Sequence, residues 1–433
     1  MSGAFSHARV ARGIAVLGSI RNHLSYRVAQ AGYLLLSERA RLRARRQRTV
    51  VQAEAPYAGQ KIVLLALYEK GLLRPDIVRL LQMAREAGHY VLAVNTLRLA
   101  DPATVAGLID CYIERPNFGR DFGSYRTGFM HLFARGWERD CPRLLMLNDS
   151  VYYNEERLAA FLADMMGSDI EALGSTENFE IEHHLGSFCI AMGAPVLRHA
   201  LFRRFWRNYR LSDVRPAVIR RGEMGLTRAL KRCVSSPEQF GALYGAARFS
   251  QAVSTDDGLL DFAVRNTRRS DLVHWRRATP ATLAEYVTDR FTLDRNDLEN
   301  RNVTLELQNR PADARSWVTN VTEVEGHLRD KLSDPSVFDP KVLRKAIAGL
   351  VAEIFMVGSQ IHQNGVVLLR MGLPLVKLDV LYRGVFNVED MNLACEQMSP
   401  RDGAELRQLL VTRPYGGHML FGWKRAAFER GLI

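Results

Sequence analysis

Four short stretches of the chain carry residue types able to do chemistry. In "NFGRDFGSY", Asn117, Gly119, Arg120, Asp121 and Gly123 fall within seven positions at the entrance to what reads as an amphipathic helix. A plain turn needs only one glycine or asparagine. Glycines permit close approach to the backbone, Arg120 can pair with a phosphate, and Asn117 and Asp121 can fix the loop or read hydroxyl groups. The structural alternative has Asn117 and Asp121 capping the helix and Arg120 paired with Asp121. Taken together, the cluster favours a loop built to meet a polar ligand.

In "LLMLNDSVYYN" an apolar run stops at Asn148 and Asp149, which puts a carboxylate at a strand tip. Asp149 alone can hold a water-rich Mg²⁺ or Mn²⁺, or it can close the strand as an Asx-turn. In "RRGEMGLTRALKR", Glu223 stands ahead of a helix, either as a base that deprotonates a hydroxyl or as a first-turn acid complementing the helix dipole. "EHHLGSF" adds His183, His184 and Ser187. Adjacent histidines diverge and no Cys or Glu stands at ligand spacing, so hydrogen bonding by His184 to an acceptor or to the fold fits better than a metal.

The elements that must position these residues alternate. "KIVLLALYE", "YVLAVNT", "CYIERP" and "RLLMLND" read as strands, separated by helices over 74–89, 101–109 and 120–135. Such alternation implies a mostly parallel sheet covered by helices, with ligands beyond the carboxyl ends of the strands. "NFGRD" and "NDS" both fall at such ends. "VLRHALFRRFWRNY" and "EMGLTRALKRC" read as further helices, residues 245–340 as polar and turn-rich around "STDDG" and "LENRNV", and "KVLRKAIAGLVAEIFMVGSQIH" as a helix.

With 433 residues, 47% of them hydrophobic, the chain can bury a sizeable core. No stretch approaches the roughly 20 apolar residues of a membrane span, so a soluble or peripheral protein is expected. Five widely spaced cysteines without a CxxC pair fit reduced thiols in a cytoplasm. Of the net charge of +12, residues 1–50 hold +9, from ten arginines against Glu38. There Val10, Ile14, Leu17, Leu24, Val28 and Leu35 recur at helical steps. That segment can lie on an anionic membrane surface or pack on its own protein. Nucleic acid is set aside as a partner because aromatic residues do not interleave with the arginines. The absence of GxSxG, Walker A, HExxH and GxGxxG argues against hydrolases, P-loop enzymes and dehydrogenases.

The order of elements is similar to that of A-type glycosyltransferases, although their usual Asp-x-Asp pair is missing here. More narrowly, "NFGRDFGSYRTGF", "LLMLNDSVYYN", "HHLGSF", "GEMGLTRAL" and "GLPLVKLDVLYRG" together resemble the rhamnan synthesis protein F family of bacterial polysaccharide glycosyltransferases. The last stretch has "PLVK" where the family has "PFIK". The resemblance implies an α/β, Rossmann-like, mostly parallel sheet of glycosyltransferase A type; the basic N-terminal helix, which departs from the family pattern, and a mainly helical C-terminal lobe are read from the chain itself. It implies three parts: residues 1–50, a nucleotide-sugar-binding domain over 58–245, and a lobe over 246–433. Asn117, Gly119, Arg120, Asp121 and Asn148 would bind the donor. Glu223 and Asp149 would be catalytic, the latter with Mg²⁺ or Mn²⁺, and His184 and Lys377 would contact acceptor or phosphate; a lysine beside an apolar strand can equally be a snorkelling surface residue. The implied partners are a nucleoside diphosphate-sugar and a lipid-linked glycan; the charge of residues 1–50 adds the inner face of the cell membrane. A non-catalytic glycan-binding or scaffold protein of the same fold is the alternative.

Overall fold

The chain opens with helix α1 (Gly3–Arg45) and an edge strand β1 (Val50–Glu54), followed by β2 (Ile62–Leu67). In this computed structural model, residues 3–270, 275–277, 321, 322, 325, 339–381, 383, 385–412 and 420–433 are described, with side chains from residue 23 onward outside 268–277. All six residues of β2 are buried. Val63, Leu65 and Leu67 face one apolar core and Ile62, Leu64 and Ala66 the other, which is the two-residue alternation of a strand covered on both sides.

Helix α2 (Pro75–Glu86) starts where Pro75 follows an extended Arg74, and it buries Ile77, Leu80, Leu81 and Ala84 at helical spacing. After β3 (Tyr90–Asn95) and β4 (Cys111–Glu114) comes α3 (Arg120–Arg135), which ends at Gly136 in the left-handed region. β5 (Arg143–Asn148) returns to pair with the other side of β2. The chain then builds β6 (Val151–Tyr153), α4 (Leu158–Gly167), β7 (Ala172–Gly174), β8 (Glu177–Asn178), β9 (His184–Leu185) and β10 (Cys189–Gly193). Next are α5 (Ala194–Arg198), α6 (Ala200–Asn208), α7 (Arg215–Val218), α8 (Met224–Lys231) and β11 (Phe240–Ala242).

The eight-stranded sheet runs β1-β4-β3-β2-β5-β10-β7-β11. Its centre, β4-β3-β2-β5, is parallel, while β1 and β10 pair antiparallel on either flank. The chain moves outward from β2 through β3 to β4 and then crosses to β5. Strand order therefore reverses between β2 and β5, and their carboxyl ends flank the crevice where open α/β sheets take ligands.

Residues 245–340 differ from the polar, turn-rich reading. α9 (Ala246–Thr255) and α10 (Asp257–Asn266) are helices, because Phe249, Val253, Leu260 and Val264 recur at helical spacing among the polar letters. With α11 (Pro340–Phe355) they pack into the core that holds Val63 and Leu65, so the core does not divide at residue 245. A hairpin of β12 (Arg268–Ser270) and β13 (Trp275–Arg277) follows α10, while "LENRNV" lies outside the described residues. Two long helical readings are interrupted. His199 accepts from the Leu201 N–H and splits the first into α5 and α6; Gly358, at φ 99°, stops the last beyond α11. All five cysteines are buried and free. Among the described residues no helix is long and apolar enough to cross a membrane.

Helix α1 packs on the protein, but not through the stripe its apolar residues suggested. Ala29 is buried against Val214, Ala427 and Leu432, and Gly32 lies against the Trp423 ring. Ala29 and Gly32 let the two helices approach closely, and Tyr26 and Tyr33 of α1 pack beside them. Leu24, Val28, Leu35 and also Leu42 stay 49–68% exposed. The side chains of Val10, Ile14 and Leu17 lie outside the described set.

Helix α3 is seated on β2 by Gly128, where an added Cβ would meet the buried Leu64 side chain. Gly128→Val is expected to cost about 2 kcal/mol in urea unfolding, whereas Gly107→Val, facing open space, should be nearly neutral. Equal stability of the two variants would show that the helix does not press on the sheet there.

Candidate functional site

Beyond the carboxyl ends of β2 and β5 the surface opens into a cleft of about 1010 Å³. Asn117, Arg120, Asp121, Asp149, His184, Glu223 and Lys377 all line it. Gly119 and Asn148 sit behind its wall.

The loop between β4 and α3 is organised by Arg115, which is 7% exposed. Its guanidinium donates to Ser124 Oγ at 2.9 Å and to the carbonyls of Pro116, Phe118 and Arg120 at 2.9, 2.6 and 2.5 Å. Burial pulls its pKa down to about 10, with Asp121 and Asp213 opposing, so it stays charged at neutral pH. A Cβ on Gly123 would stand 2.6 Å from this guanidinium, which is why glycine is needed there. Gly119 and Arg120 take left-handed backbone, at φ 91° and 51°. The Gly119 N–H donates to Asp213 Oδ1 at 2.7 Å. The start of α3 is thus already occupied by a carboxylate of the protein, and Gly119 offers no amide to a ligand. Gly119, rather than Asn117 or Asp121, is the residue that begins the helix, without a side-chain cap. Arg120 does not pair with Asp121; its Nε donates to the Asp213 carbonyl at 2.9 Å. Asn117 is exposed on the cleft wall.

A chain of side-chain hydrogen bonds links this loop to the strand tip and onward. Asn148 Nδ2 donates to Asp121 Oδ2 at 2.8 Å, Ser150 Oγ donates to Asn148 Oδ1 at 2.6 Å, and Lys377 Nζ donates to Ser150 Oγ at 2.7 Å. Asn148, 1% exposed, is a spacer and not a ligand-facing group. Burial pushes the Asp121 carboxyl up, against Lys377, Arg120 and Arg115. Asp149 accepts the Tyr68 N–H at the end of β2, and Arg74 donates to its carbonyl at 2.7 Å. Arg74 also chelates Asp76 and reaches the Val151 carbonyl, so it clamps the turn after β5.

Glu223 does not start a helix. It closes a π-helical turn, Ile219–Glu223, between α7 and α8, a distortion that tends to mark functional positions. His184 is 1% exposed; its Nδ1 donates to the Glu182 carbonyl at 2.7 Å, and its Nε2 faces Glu223 Oε2 at 3.4 Å. With Nδ1 donating, a favourable Nε2 contact to a carboxylate calls for a second proton, and the Glu223 carboxylate favours that charged form of the ring. The shifts agree. Burial lowers His184, but Glu223 and the Glu182 carbonyl outweigh it and the pKa is raised; burial raises Glu223, but His184, Lys377 and Arg215 bring it below the ordinary carboxylate value. His184 therefore holds Glu223 and is not offered to an acceptor. His183 diverges, stacking on Phe179.

The opposite wall comes from the C-terminal part. β14 (Leu375–Lys377) pairs antiparallel with β6, Lys377 beside Val151, which delivers a residue distant in sequence to the tip of β5. Two residues on, Asp379 bonds His362 Nε2 at 3.1 Å and Arg383 Nε at 2.7 Å. Burial would raise Asp379, yet His362, Lys377 and Arg383 hold it well below the usual range. Sequence reasoning missed Arg115, Asp213, Arg74, Arg215 and this Asp379 cluster. The "RPD" at the start of α2 and the "KLD" after β14 were the only local signals.

Asp149 belongs to no group of three ligand atoms within 4.8 Å among the described residues, so a Mg²⁺ or Mn²⁺ there would draw most of its ligands from water and phosphate. The one such group, Glu54, Cys111 and His131, lies outside the cleft. Arg135 takes both Glu54 oxygens, and burial pushes the Cys111 thiol up to about 12, which does not fit a metal centre.

No family model matches the chain. Part of it is similar to an uncharacterized protein, y4gN, of Sinorhizobium fredii: 27% identity over 186 residues, 42% of this chain and 48% of that protein. It is also similar to the virulence protein VirA of Vibrio anguillarum, 27% identical over 153 residues, 34% of this chain and 48% of that protein. The chain spans about half the length of the curated relatives it matches.

The raised His184 and lowered Glu223 give the pair a defined pH window. The Glu223 contribution is lost as pH falls through its pKa, below 4.5; the His184 contribution is lost as pH rises through its pKa, above 6.5. Thermal melts of the wild type and His184→Asn should differ most between these limits and converge on both sides. A pH-independent difference would mean that no ion pair forms.

Proposed function

We propose that this chain is a glycosyltransferase of the A-type fold. In this reading it moves a sugar from a nucleoside diphosphate donor to a lipid-linked glycan of a bacterial cell-surface polysaccharide, on the cytoplasmic face of the membrane. L-rhamnose is the sugar suggested by the resemblance to the rhamnan synthesis protein F family. The observation that carries the reading is the convergence of Arg120, Asp121, Asp149, Glu223 and Lys377, from four distant segments, on one cleft at the point where strand order reverses.

The cleft is not a simple anion trap. Among its lining side chains are five Arg or Lys and eight Asp or Glu, so it suits a ligand with phosphate at one end and many hydroxyls at the other. Lys377, with two ammonium hydrogens beyond the one given to Ser150, and Arg120 and Arg215 would hold the diphosphate. Asp121 and Asn117 would read sugar hydroxyls. In a single displacement, the Glu223 carboxylate takes the proton of the acceptor hydroxyl. The acceptor oxygen bonds to the anomeric carbon, and the bond to the phosphate oxygen breaks, its electron pair leaving with the diphosphate. His184 keeps Glu223 ionised and aimed. A Mg²⁺ or Mn²⁺ held by Asp149 would add positive charge beside the leaving diphosphate. The exposed leucines and arginines of α1 suit attachment to an anionic membrane surface.

A panel of nucleotide sugars offered to the full chain should reveal one that binds and is turned over. Glu223→Gln should then lower kcat by about 10³-fold with donor KM little changed, and Lys377→Ala should raise donor KM. Failure of every nucleotide sugar to bind or react would sink the reading. Donor binding without transfer to any acceptor would favour a non-catalytic glycan-binding protein.

A further inference from the structure

A second depression, of about 600 Å³, lies between the carboxyl end of α1, the back of the β4–α3 loop and the segment after α6. Arg41 and Arg45 of α1, Arg126 of α3, Arg210 and the buried Arg115 line it, and no carboxylate does. Asp121 and Asp213 act on Arg115 from the loop side, but Arg45, Arg126 and Arg210 form no ion pair among the described residues. Arg126 donates to the carbonyls of Trp206 and Arg207 at 3.1 and 3.3 Å, and every hydrogen bond of Arg115 goes to a neutral oxygen. Arg41 meets Glu38 at 2.5 Å, but Glu38 is not part of the wall. Arg45 and Arg210 are exposed. The carboxyl end of α1 opposes an anion with only about half a charge, against the three guanidiniums of Arg45, Arg126 and Arg210. Phe118, Tyr209 and Leu211 supply apolar walls that strengthen the field inside.

We propose that this arginine groove is a binding site for a phosphate-bearing anion, separate from the cleft. Arg45, Arg126 and Arg210, clustered without a carboxylate in the wall, match phosphate by geometry and charge. The stripe beside it points to the source. Leu24, Val28, Leu35 and Leu42 lie within about 40° of one another around α1 and are all exposed. Apolar residues running up to a basic groove suit a lipid whose phosphate headgroup enters the groove while the stripe meets acyl chains. The site does not require sugar transfer in the cleft; only the lipid source leans on the proposed membrane attachment.

The test uses the full chain and two probes. One is co-sedimentation with vesicles of phosphatidylglycerol and phosphatidylcholine in equal parts; the other is calorimetry with inorganic diphosphate. Arg45→Glu/Arg210→Glu alters two exposed residues, and Arg45→Gln/Arg210→Gln repeats the test without reversing charge. The expected result is a loss of at least about tenfold in vesicle binding, with the melting temperature unchanged. Loss for diphosphate alone would keep the phosphate site and assign it a soluble ligand. Both affinities within about twofold of wild type, in both variants, would overturn the proposal. Diphosphate binding that survives in these variants and disappears in Lys377→Ala belongs to the cleft, so the two sites fail separately.

Discussion

The buried guanidinium of Arg115 is the constraint on which the site depends. Taking a cation out of water is favourable only when every donor finds an acceptor in good geometry. Here the acceptors are the carbonyls of the loop itself, so folding the loop and satisfying the charge are one event. The consequences run outward. Gly123 must lack a side chain to admit the guanidinium, and the left-handed turn at Gly119 and Arg120 brings the Arg120 carbonyl round to it. Such backbone is unfavourable for an arginine and persists only where the surroundings impose it. Arg120 thereby lines the cleft while bonded to the Asp213 carbonyl, and Asp121 falls against Asn148.

From Asp121 the order continues through Asn148 and Ser150 to Lys377. These residues come from the first turn of α3, the tip of β5, the following turn and a strand more than two hundred residues later. Each hydrogen bond is modest by itself, worth about 1 kcal/mol. Their joint effect is positional, because a buried amide in the middle fixes which oxygen faces which neighbour. The β6–β14 pairing makes the same join through backbone, so the C-terminal part is built into the wall of the cleft.

The sequence made the sheet legible wherever burial followed a simple period. β2, α2, β3, β4, α3 and β5 lie within a few residues of their expected limits, since alternating or helical apolar spacing is what the core selects. The position of the cleft followed from the alternation as well. Roles inside the loop did not. An arginine before a proline looks like a surface residue, and nothing local shows that its partners are carbonyls; that depends on closure of the loop. Glycines read as room for a ligand proved to be room for Arg115 and for the Asp213 contact. The apolar face of α1 left two readings open, and the structure seats the helix on the protein through a different face, around Ala29 and Gly32, with the leucine stripe exposed.

Charge arrangement separates the two concave regions of the molecule. In the cleft almost every cation has a carboxylate near it: Arg74 with Asp76, Arg383 with Asp379, His184 with Glu223. Such pairs hold side chains in place and keep the net potential low, so recognition there must come from shape and directed hydrogen bonds. The arginine groove has the reverse character, with high potential, few directed partners and exposed ends. A ligand for the cleft has to match several fixed groups at once, as a sugar nucleotide would. A ligand for the groove needs only negative charge and a size that fits, which is the looser demand of an attachment point. The two share Arg115, whose backbone partners face the loop while its charge contributes to the groove. The loop carbonyls that hold Arg115 in place also fix the backbone of Arg120, so one buried side chain borders both concave regions.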